Sequence, residues 1–415
     1  MSRIKGILVG FIILLLCISP ATGANSDWTS FQQNIAHSGF LKDNSDFVTN
    51  LWIFDIGSPI LSSPAIDNNN LFIASSDGVL KSINMEKGSE NWSIDLNSTT
   101  TASPVIYGDN LFIGTSNGFY SININSNKVN WNFETSKPVK STAYISNDSA
   151  YFGCDNGHLY SLSTNNGEKR FDVKLGGKIQ SSPIIVNDSL YVGSTNTNFY
   201  SLNPSDGSEN WKYTTGDLIL SSPAYGDGKI AFGSNDGTLY VVNSSDGSLS
   251  WKSELGDKVI SSPTIDKHDN NIFIGSNSGN FSCLDLRDGT CKWSVDKASP
   301  IQTTPAIKDN LVVFASNNGN GYILNKYTGE EVLSYNPGSL LFNCEITSSP
   351  VIYGNSLFFC DHNGYIYSLN IEKNEVPTSI FLYYTIVILV IALIIIGIIF
   401  SKVIKSKKLK NQKKK

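Results

Sequence analysis

The chain has 415 residues, of which 40% are hydrophobic, 11% aromatic and only 16% charged, with 34 glycines. This composition argues against coiled coils and helical bundles, and the length suffices for one large β architecture or for two or three average domains. Ten of the 31 basic residues lie in residues 1–26 and 401–415, which contain no acidic residue, so the stretch between them holds 21 basic and 36 acidic residues. A stretch with this net charge of −15 repels phosphate backbones, and we therefore expect no nucleic-acid partner.

The first 23 residues have the pattern of a secretory signal peptide. Arg3 and Lys5 precede an apolar run over residues 7–18, and small residues follow as far as Gly23. The run is short for a membrane span, which disfavours the alternative of a retained N-terminal anchor. We predict a signal peptide over residues 1–23 and a lead-in segment over residues 24–50.

The opposite end has the pattern of a membrane anchor. Residues 380–400 form 21 residues without a charge, and a helix of that length is about 31 Å long, which matches the hydrocarbon thickness of a bilayer. Eight lysines follow over residues 401–415, and such clusters stay on the cytoplasmic side. We predict a linker over residues 374–379, a single transmembrane helix over 380–400 and a Lys-rich cytoplasmic tail over 401–415. The protein is then a single-pass cell-membrane protein whose middle region is extracytoplasmic.

The middle of the chain contains one unit repeated eight times. A three-residue motif, which we call the phrase, consists of two small, mostly hydroxyl-bearing residues followed by proline or, once, alanine. Its last residues are Pro64, Pro104, Ala143, Pro183, Pro223, Pro263, Pro305 and Pro350, with spacings of 40, 39, 40, 40, 40, 42 and 45 residues. Each unit contains four short apolar runs separated by turns rich in Asn-Gly and Asp-Gly, which we expect to form two-residue hairpins. Four strands in each of eight units predict a β-propeller.

The positions of the outer-strand anchors predict how the propeller closes. These anchors are Trp52, Trp92, Trp131, Phe171, Trp211, Trp251, Trp293 and Leu333. Trp52 precedes the first phrase and no anchor follows the eighth unit, so we expect Leu51–Ile56 to supply the outer strand of the last blade. The predicted fold is all-β: an eight-bladed β-propeller over residues 51–373, with four-stranded antiparallel blades closed by an N-terminal strand, plus the C-terminal transmembrane helix. An open solenoid and a seven-bladed ring with an odd unit are the alternatives. Because proline cannot donate a ladder hydrogen bond, the phrase should begin each innermost strand, with its Ser and Thr residues around one mouth of the channel.

These motifs resemble the pyrroloquinoline-quinone-like (PQQ-like) repeat family over residues 27–373. The resemblance rests on Gly207 and Trp211, the phrase Ser221–Pro223 and the turn Gly233–Gly237. The Gly-x-x-x-Trp element is complete at Gly88/Trp92, Gly207/Trp211, Gly247/Trp251 and Gly289/Trp293, and it is altered at Asn127/Trp131, Gly167/Phe171 and Gly329/Leu333. The opening Asp27-Trp28 with Phe31 and His37-Ser38-Gly39 is similar to the N-terminal segment that precedes the repeats in many secreted members.

The resemblance implies two branches of function. Quinoprotein dehydrogenases in this family hold the quinone near an adjacent cysteine pair and a calcium-bound acidic set, whereas this chain has no adjacent cysteines and uniform units. The other branch consists of non-enzymatic scaffolds. We therefore expect a binding scaffold for a protein or glycan partner, with no catalysis, no cofactor and no metal site. The alternatives are a PQQ-dependent oxidoreductase, which would need PQQ and calcium, and an envelope protein-assembly factor.

The remaining candidate sites are modifications and one loop. Sequons for glycosylation occur at Asn91, Asn97, Asn147, Asn187, Asn243 and Asn280. In an oxidising compartment the pairs Cys283/Cys291 and Cys344/Cys360 are candidates for disulfides, with Cys154 left over as a buried residue. The connection from Leu333 to Thr347 exceeds the usual spacing by five residues and is either a binding loop or a cover for the closure blade.

Overall fold

The computed structural model describes residues 40–41, 47–336 and 344–372, and every regular element among them is a β-strand. The predicted signal peptide, linker, transmembrane helix and tail lie outside these residues. Within the described part of the chain, no helix is long and apolar enough to cross a membrane.

The strands form eight sheets, and each unit supplies an inner, a second, a third and an outer strand. The inner strands are β3 (Ala65–Asp67), β7 (Val105–Tyr107), β11 (Tyr144–Ser146), β15 (Ile184–Val186), β19 (Ala224–Gly226), β23 (Thr264–Asp266), β27 (Ala306–Lys308) and β31 (Val351–Tyr353). The second strands are β4 (Asn70–Ala74), β8 (Asn110–Gly114), β12 (Ser149–Gly153), β16 (Ser189–Gly193), β20 (Lys229–Gly233), β24 (Asn271–Gly275), β28 (Leu311–Ala315) and β32 (Ser356–Cys360).

The third and outer strands complete the blades. The third strands are β5 (Val79–Asn84), β9 (Gly118–Asn123), β13 (His158–Ser163), β17 (Asn198–Leu202), β21 (Thr238–Asn243), β25 (Asn280–Asp285), β29 (Gly321–Asn325) and β33 (Tyr365–Glu372). The outer strands are β6 (Ser89–Asp95), β10 (Lys128–Glu134), β14 (Lys169–Lys174), β18 (Glu209–Thr214), β22 (Leu249–Glu254), β26 (Cys291–Asp296), β30 (Glu331–Tyr335) and β2 (Phe47–Asp55). Blade 1 begins at β3, and blade 8 consists of β31, β32, β33 and β2.

The N-terminal strand closes the ring, as the sequence predicts. β2 pairs antiparallel with β33, with Trp52 opposite Ser368 and Asp55 opposite Tyr365. The strand begins at Phe47 rather than Leu51, because the ladder continues as far as Glu372. Inner strands of neighbouring blades contact one another around a central channel, which confirms the eight-bladed propeller and its innermost phrase positions.

A short strand, β1 (Phe40–Leu41), was not expected from the sequence. It pairs in parallel with β27, with Phe40 opposite Ile307 and Leu41 opposite Lys308, and so adds a fifth strand to blade 7. Because β27 is an inner strand, part of the predicted lead-in lies against the channel edge of this blade.

The Gly and Trp of the repeat join neighbouring blades. Trp52 of blade 8 lies over Gly88 of blade 1, and its Nε1 donates a hydrogen bond of 2.6 Å to the Met85 carbonyl. The same glycine contact and indole bond recur at Trp131, Trp211, Trp251 and Trp293, with bonds of 3.0–3.2 Å. Each glycine therefore accommodates the tryptophan of the preceding blade rather than the one four residues later in its own unit.

Stacked phenylalanines fill the interfaces closer to the axis. The ring centroids of Phe199 and Phe232 are 4.0 Å apart, and those of Phe281 and Phe314 are 3.8 Å apart. These pairs come from adjacent blades and are buried. Each contributes about 0.5–1.5 kcal/mol beyond the burial of its area.

The turn type differs from the prediction. The turns between second and third strands span four residues, as in Ser75–Gly78, where the Ser75 amide bonds the Val79 carbonyl and only Gly78 has a positive φ. Two-residue turns with two positive φ angles occur instead between inner and second strands, as at Asn68 and Asn69. The Ser75 hydroxyl also bonds Asp77 Oδ1 and the Val79 carbonyl, which stabilises the four-residue turn. Asp-Gly therefore marks the end of this longer turn rather than a two-residue hairpin.

We predict that Gly88→Ala destabilises the protein far more than Gly108→Ala. Both glycines have φ near +60°, so both variants carry a similar backbone penalty of about 1–2 kcal/mol. A Cβ at residue 88 would lie 2.5 Å from the Trp52 ring, whereas nothing lies within 4 Å of one at residue 108. Overpacking at the closing interface should add about 1–3 kcal/mol to the loss in free energy of unfolding. Urea titration of both variants measures the difference, and equal losses would contradict the contact between blades 8 and 1.

Candidate functional site

One face of the propeller carries two sets of connections. Consecutive strands alternate in direction, so the loops from each outer strand to the next inner strand lie on the same face as the turns between second and third strands. We call this the mouth face. In every blade a backbone amide of the turn between the second and third strands donates a hydrogen bond of 2.7–3.0 Å to a backbone carbonyl of the loop before the inner strand. In blade 1, for example, Ser76 donates to the Pro59 carbonyl. The backbone of the mouth face is therefore the same around the ring.

The hydroxyl residues before each proline form a ring of hydrogen bonds between blades. The amide of the residue directly before the proline position donates to the hydroxyl at the same place in the next blade. Six such bonds of 2.9–3.0 Å join Ser63 to Ser103, Thr142 to Ser182, Ser182 to Ser222, Ser222 to Ser262, Thr304 to Ser349 and Ser349 to Ser63. The last bond crosses the closing interface. The prediction that these residues surround the channel is thus confirmed, and their role is to hold blades together.

The residue before each phrase lies next to this ring and varies from blade to blade. We call these eight residues the mouth ring: Leu61, Thr101, Lys140, Gln180, Leu220, Ile260, Gln302 and Thr347. Lys140 and Gln180 make one arc polar, and the neighbouring arc of Leu220 and Ile260 is aliphatic and half-buried. A constant backbone with different side chains gives a surface that can be specific for one partner.

Several mouth-ring residues lie near a second polar side chain from a turn. Gln180 Nε2 donates to Asp155 Oδ1 at 2.8 Å, and Lys140 Nζ lies 3.8 Å from Asp155 Oδ2. His362 Nε2 lies 2.7 Å from Thr347 Oγ1, and its Nδ1 lies 3.6 Å from Glu345 Oε2. The imidazole therefore ties two parts of the loop before blade 8 to the turn that it faces.

Two asparagines at equivalent positions of the turns between second and third strands have side-chain oxygens without a hydrogen-bond donor. Asn235 in blade 5 and Asn317 in blade 7 each bury a side-chain carbonyl oxygen without a hydrogen-bond partner in the structure. Leaving such a group unpaired costs about 1–3 kcal/mol.

Tyrosines beneath the turns make the mouth face rigid, and the sequence analysis missed them. In six blades a tyrosine hydroxyl bonds an Asn or Asp of the turn at 2.8–3.2 Å, as Tyr240 donates to Asp236. Burial and the Asp236 carboxylate raise the pKa of Tyr240 to about 12, so this hydroxyl keeps its proton at neutral pH. A tyrosine four residues after the turn Asn or Asp, as in Asn156 and Tyr160, is the signal that could have found four of the six.

A cavity of about 80 Å³ opens on the mouth face between blades 2 and 3. It is lined by residues 99–101, Thr115, Ser116 and residues 138–140. Lys140 carries the only formal charge among these lining residues.

Neither candidate disulfide is formed in the structure. Cys283 lies opposite Trp293 and Cys291 lies opposite Leu284, because a bulge shifts the register between the two pairs. Paired residues share a face and successive residues alternate, so the two cysteines leave the hairpin on opposite faces. Cys283 is buried and Cys291 is exposed.

The second cysteine pair is also unbonded. Cys360 is fully buried in the hydrophobic cluster of the closure blade, whereas the Cys344 thiol lies 3.8 Å from the Glu345 carbonyl oxygen. Cys154 is a buried free thiol, as the sequence analysis expected.

The predicted sequons lie at different depths, and the structure does not test their glycosylation. Exposed asparagines are Asn91, Asn97, Asn147 and Asn187. Asn243 and Asn280 are half-buried, and each donates a hydrogen bond to a nearby serine. The extended connection before blade 8 includes residues 337–343, which lie outside the described residues.

We predict that only Cys291, among the five described cysteines, reacts quickly with N-ethylmaleimide in the folded protein. Burial raises the pKa of Cys283 to about 12 and that of Cys344 to about 11, so both stay protonated and unreactive. Intact-mass analysis should show one rapid adduct in buffer and further adducts only after unfolding in denaturant. Resistance to labelling until a reductant is added would instead indicate disulfides.

Comparisons with known proteins agree with the propeller. The family model described as the β-propeller of β-alanine-activating enzyme matches residues 164–388, and the one described as outer membrane protein assembly factor BamB matches residues 49–213. No curated protein matches the chain.

Several solved structures share the fold. BamB from Moraxella catarrhalis is 16% identical with a TM-score of 0.67, covering 78% of this chain and 100% of its own. Quinohemoprotein alcohol dehydrogenase from Comamonas testosteroni is 11% identical with a TM-score of 0.71, covering 84% of this chain and 81% of its own. The computationally designed Ika8 protein is 15% identical with a TM-score of 0.69, covering 79% and 100%. At these identities the likeness establishes the fold alone.

Proposed function

Because the chain belongs to the PQQ-like repeat β-propeller family, we propose that it is a membrane-anchored, extracytoplasmic scaffold that binds a polypeptide partner on its mouth face. The proposal takes residues 1–23 as a signal peptide and residues 380–400 as the membrane anchor. It assigns no catalytic step to the chain.

The observation that carries the proposal is the varied mouth ring on a constant, rigid backbone. Leu220 and Ile260 offer half-buried aliphatic contacts, and the side-chain amides of Gln180 and Gln302 offer hydrogen-bonding groups beside them. A polypeptide supplies both apolar side chains and backbone N–H donors, so its chemistry matches this surface.

The anchor would determine which face the partner approaches. β33 ends at Glu372 opposite Phe47, at the end of the strand that lies away from the mouth face. The seven residues 373–379 span at most about 25 Å. Under the proposal, the face opposite the mouth is therefore held toward the bilayer, and the mouth face is turned away from it.

The match to the BamB family model over residues 49–213 favours an assembly factor as the second candidate function. Such a factor would bind unfolded or extended polypeptides, whereas a scaffold would bind a folded partner. Both use the mouth face, and the identity of the captured polypeptide distinguishes them.

We predict that a photo-crosslinking amino acid at Leu220 captures a polypeptide in intact membranes, whereas the same amino acid at Leu249 does not. Leu249 is 43% exposed on the outer strand of the same blade, which makes it a matched control away from the mouth. Mass spectrometry after irradiation identifies the adduct. Equal capture at both positions, or an adduct that resists protease digestion, would contradict a polypeptide partner on the mouth face.

The residues of the mouth do not fit calcium and PQQ. Among the described residues, no group of three or more His, Cys, Asp and Glu side chains could hold a metal ion. The nearby carboxylates already have partners, since Asp155 accepts from Gln180 and Asp361 accepts from Tyr367. The quinone-dependent oxidoreductase therefore remains an alternative without support from the site.

We predict that adding PQQ and calcium to the purified protein gives no stoichiometric complex. Absorbance of the protein after removal of unbound quinone measures the bound fraction, and dye reduction with alcohols measures activity. A quinone spectrum at one equivalent per chain, together with dye reduction, would replace the scaffold proposal with the oxidoreductase.

A further inference from the structure

Blade 2 departs from the repeat in its mouth loop, which lines the cavity beside Lys140. Seven blades place a buried Ile or Val two residues before the first position of the phrase: Ile60, Val139, Ile179, Ile219, Val259, Ile301 and Ile346. Blade 2 has Thr100 there, which is also buried but shorter than isoleucine. Thr100 has about the volume of the valine found in blades 3 and 6, so what it changes is chemistry: a hydroxyl stands in the cavity wall where the repeat has an aliphatic group.

A second departure explains how blade 2 keeps its structure. In four other blades the first phrase residue donates to the end of the second strand, as Ser62 Oγ donates to the Ala74 carbonyl at 2.9 Å. Blade 2 has Ala102 at this position, and Thr100 Oγ1 donates to the equivalent Gly114 carbonyl at 2.6 Å. The hydroxyl has moved by two residues, so the loop stays anchored while its aliphatic core position is lost.

The lining of the cavity suits a small anion with an apolar end. Methyl groups of the threonines, Pro138 and Val139 provide apolar walls, and hydroxyls lie among them. Thr100 and Thr115 have hydrogen-bond partners within the protein, whereas Thr99 and Thr101 are exposed at the rim.

Lys140 supplies the charge. Its side chain is 43% exposed, and its Nζ lies 3.8 Å from Asp155 Oδ2, which is too long for a hydrogen bond. The other Asp155 oxygen accepts from Gln180. Lys140 and Asp155 thus form a long ion pair, which occupies at most one of the three N–H donors of the ammonium and leaves the others available where Lys140 lines the cavity. We propose that this pocket binds a carboxylate group, with Lys140 as the charged donor and the threonine hydroxyls around it.

A carboxylate can come from two sources. It can be the C-terminus or an acidic side chain of a polypeptide, or the acid group of a uronic sugar. The site lies on the face used in the proposed function and deepens it, but carboxylate binding can be measured without the partner. Loss of crosslinking at Leu220 with carboxylate binding intact would contradict the proposed function but not the carboxylate site.

The test uses the purified full-length protein and trifluoroacetate, observed by ¹⁹F line broadening, with trifluoroacetamide as the uncharged probe of the same shape. We expect broadening of the acid and none of the amide. Lys140→Met should weaken binding by about tenfold or more, because it removes the charge-assisted bond. Lys178→Met removes another exposed lysine, from the next mouth loop, and should change nothing.

A double variant tests the cavity without touching the lysine. Thr100→Ile with Ala102→Ser restores both repeat residues, so it should fill the space, keep the unfolding temperature and abolish broadening. Competition by a tripeptide with a free C-terminus, by the same peptide amidated and by glucuronate identifies the source of the carboxylate. Equal broadening of acid and amide, unchanged binding in Lys140→Met, or no competition by either acid would overturn the site.

Discussion

The antiparallel ladder between β2 and β33 joins the two ends of the propeller, and three other contacts depend on it. Trp52 belongs to the closing strand and reaches blade 1 at Gly88 and the Met85 carbonyl. The hydroxyl ring crosses the same interface where Ser349 donates to Ser63. Without the ladder, β33 of blade 8 would be an unpaired edge strand, and such sheet edges are prone to misassembly. The rigidity of the mouth face therefore depends on a strand that lies at the far perimeter of blade 8.

The repeat separates positions that hold the ring from positions that are free to vary. Glycine, tryptophan and the hydroxyl before proline make contacts between blades, so a change at one of them affects two sheets. The mouth-ring residues share no contact between blades that recurs around the ring. Their side chains therefore differ widely on the same backbone, for example Lys140 in one blade and Ile260 in another. Blade 2 shows how the two sets interact. There the hydroxyl that anchors the loop is on Thr100 instead of on the first phrase residue, and that phrase residue is a buried alanine, Ala102. Function can change there without loss of the fold.

The sequence predicted the fold well because its signals are repeated. Eight phrases and eight outer anchors predict the blades, and the unmatched Trp52 predicts the closing strand. Single events were not predictable in this way. A two-residue parallel strand such as β1 has no periodic pattern, and the bulge that separates Cys283 from Cys291 shifts the register by one residue. The polar wall of the cavity could have been found by aligning the eight units, since Thr100 stands alone among aliphatic residues.

The position of β1 limits where on the mouth face a partner can bind. β27 runs from the mouth face toward the opposite face, and β1 runs parallel to it, so Phe40 lies nearer the mouth face than Leu41. Lys308 next to it is fully buried and donates to the Gly354 carbonyl and Asn355 Oδ1 of blade 8. Blade 7 thus holds a segment of the chain itself at its channel edge. The mouth-ring residues of blades 3 to 6, together with the cavity beside blade 2, lie on the remaining arc, where the polar and aliphatic side chains adjoin. A partner that contacts both kinds of side chain is therefore expected off the channel axis, on this arc.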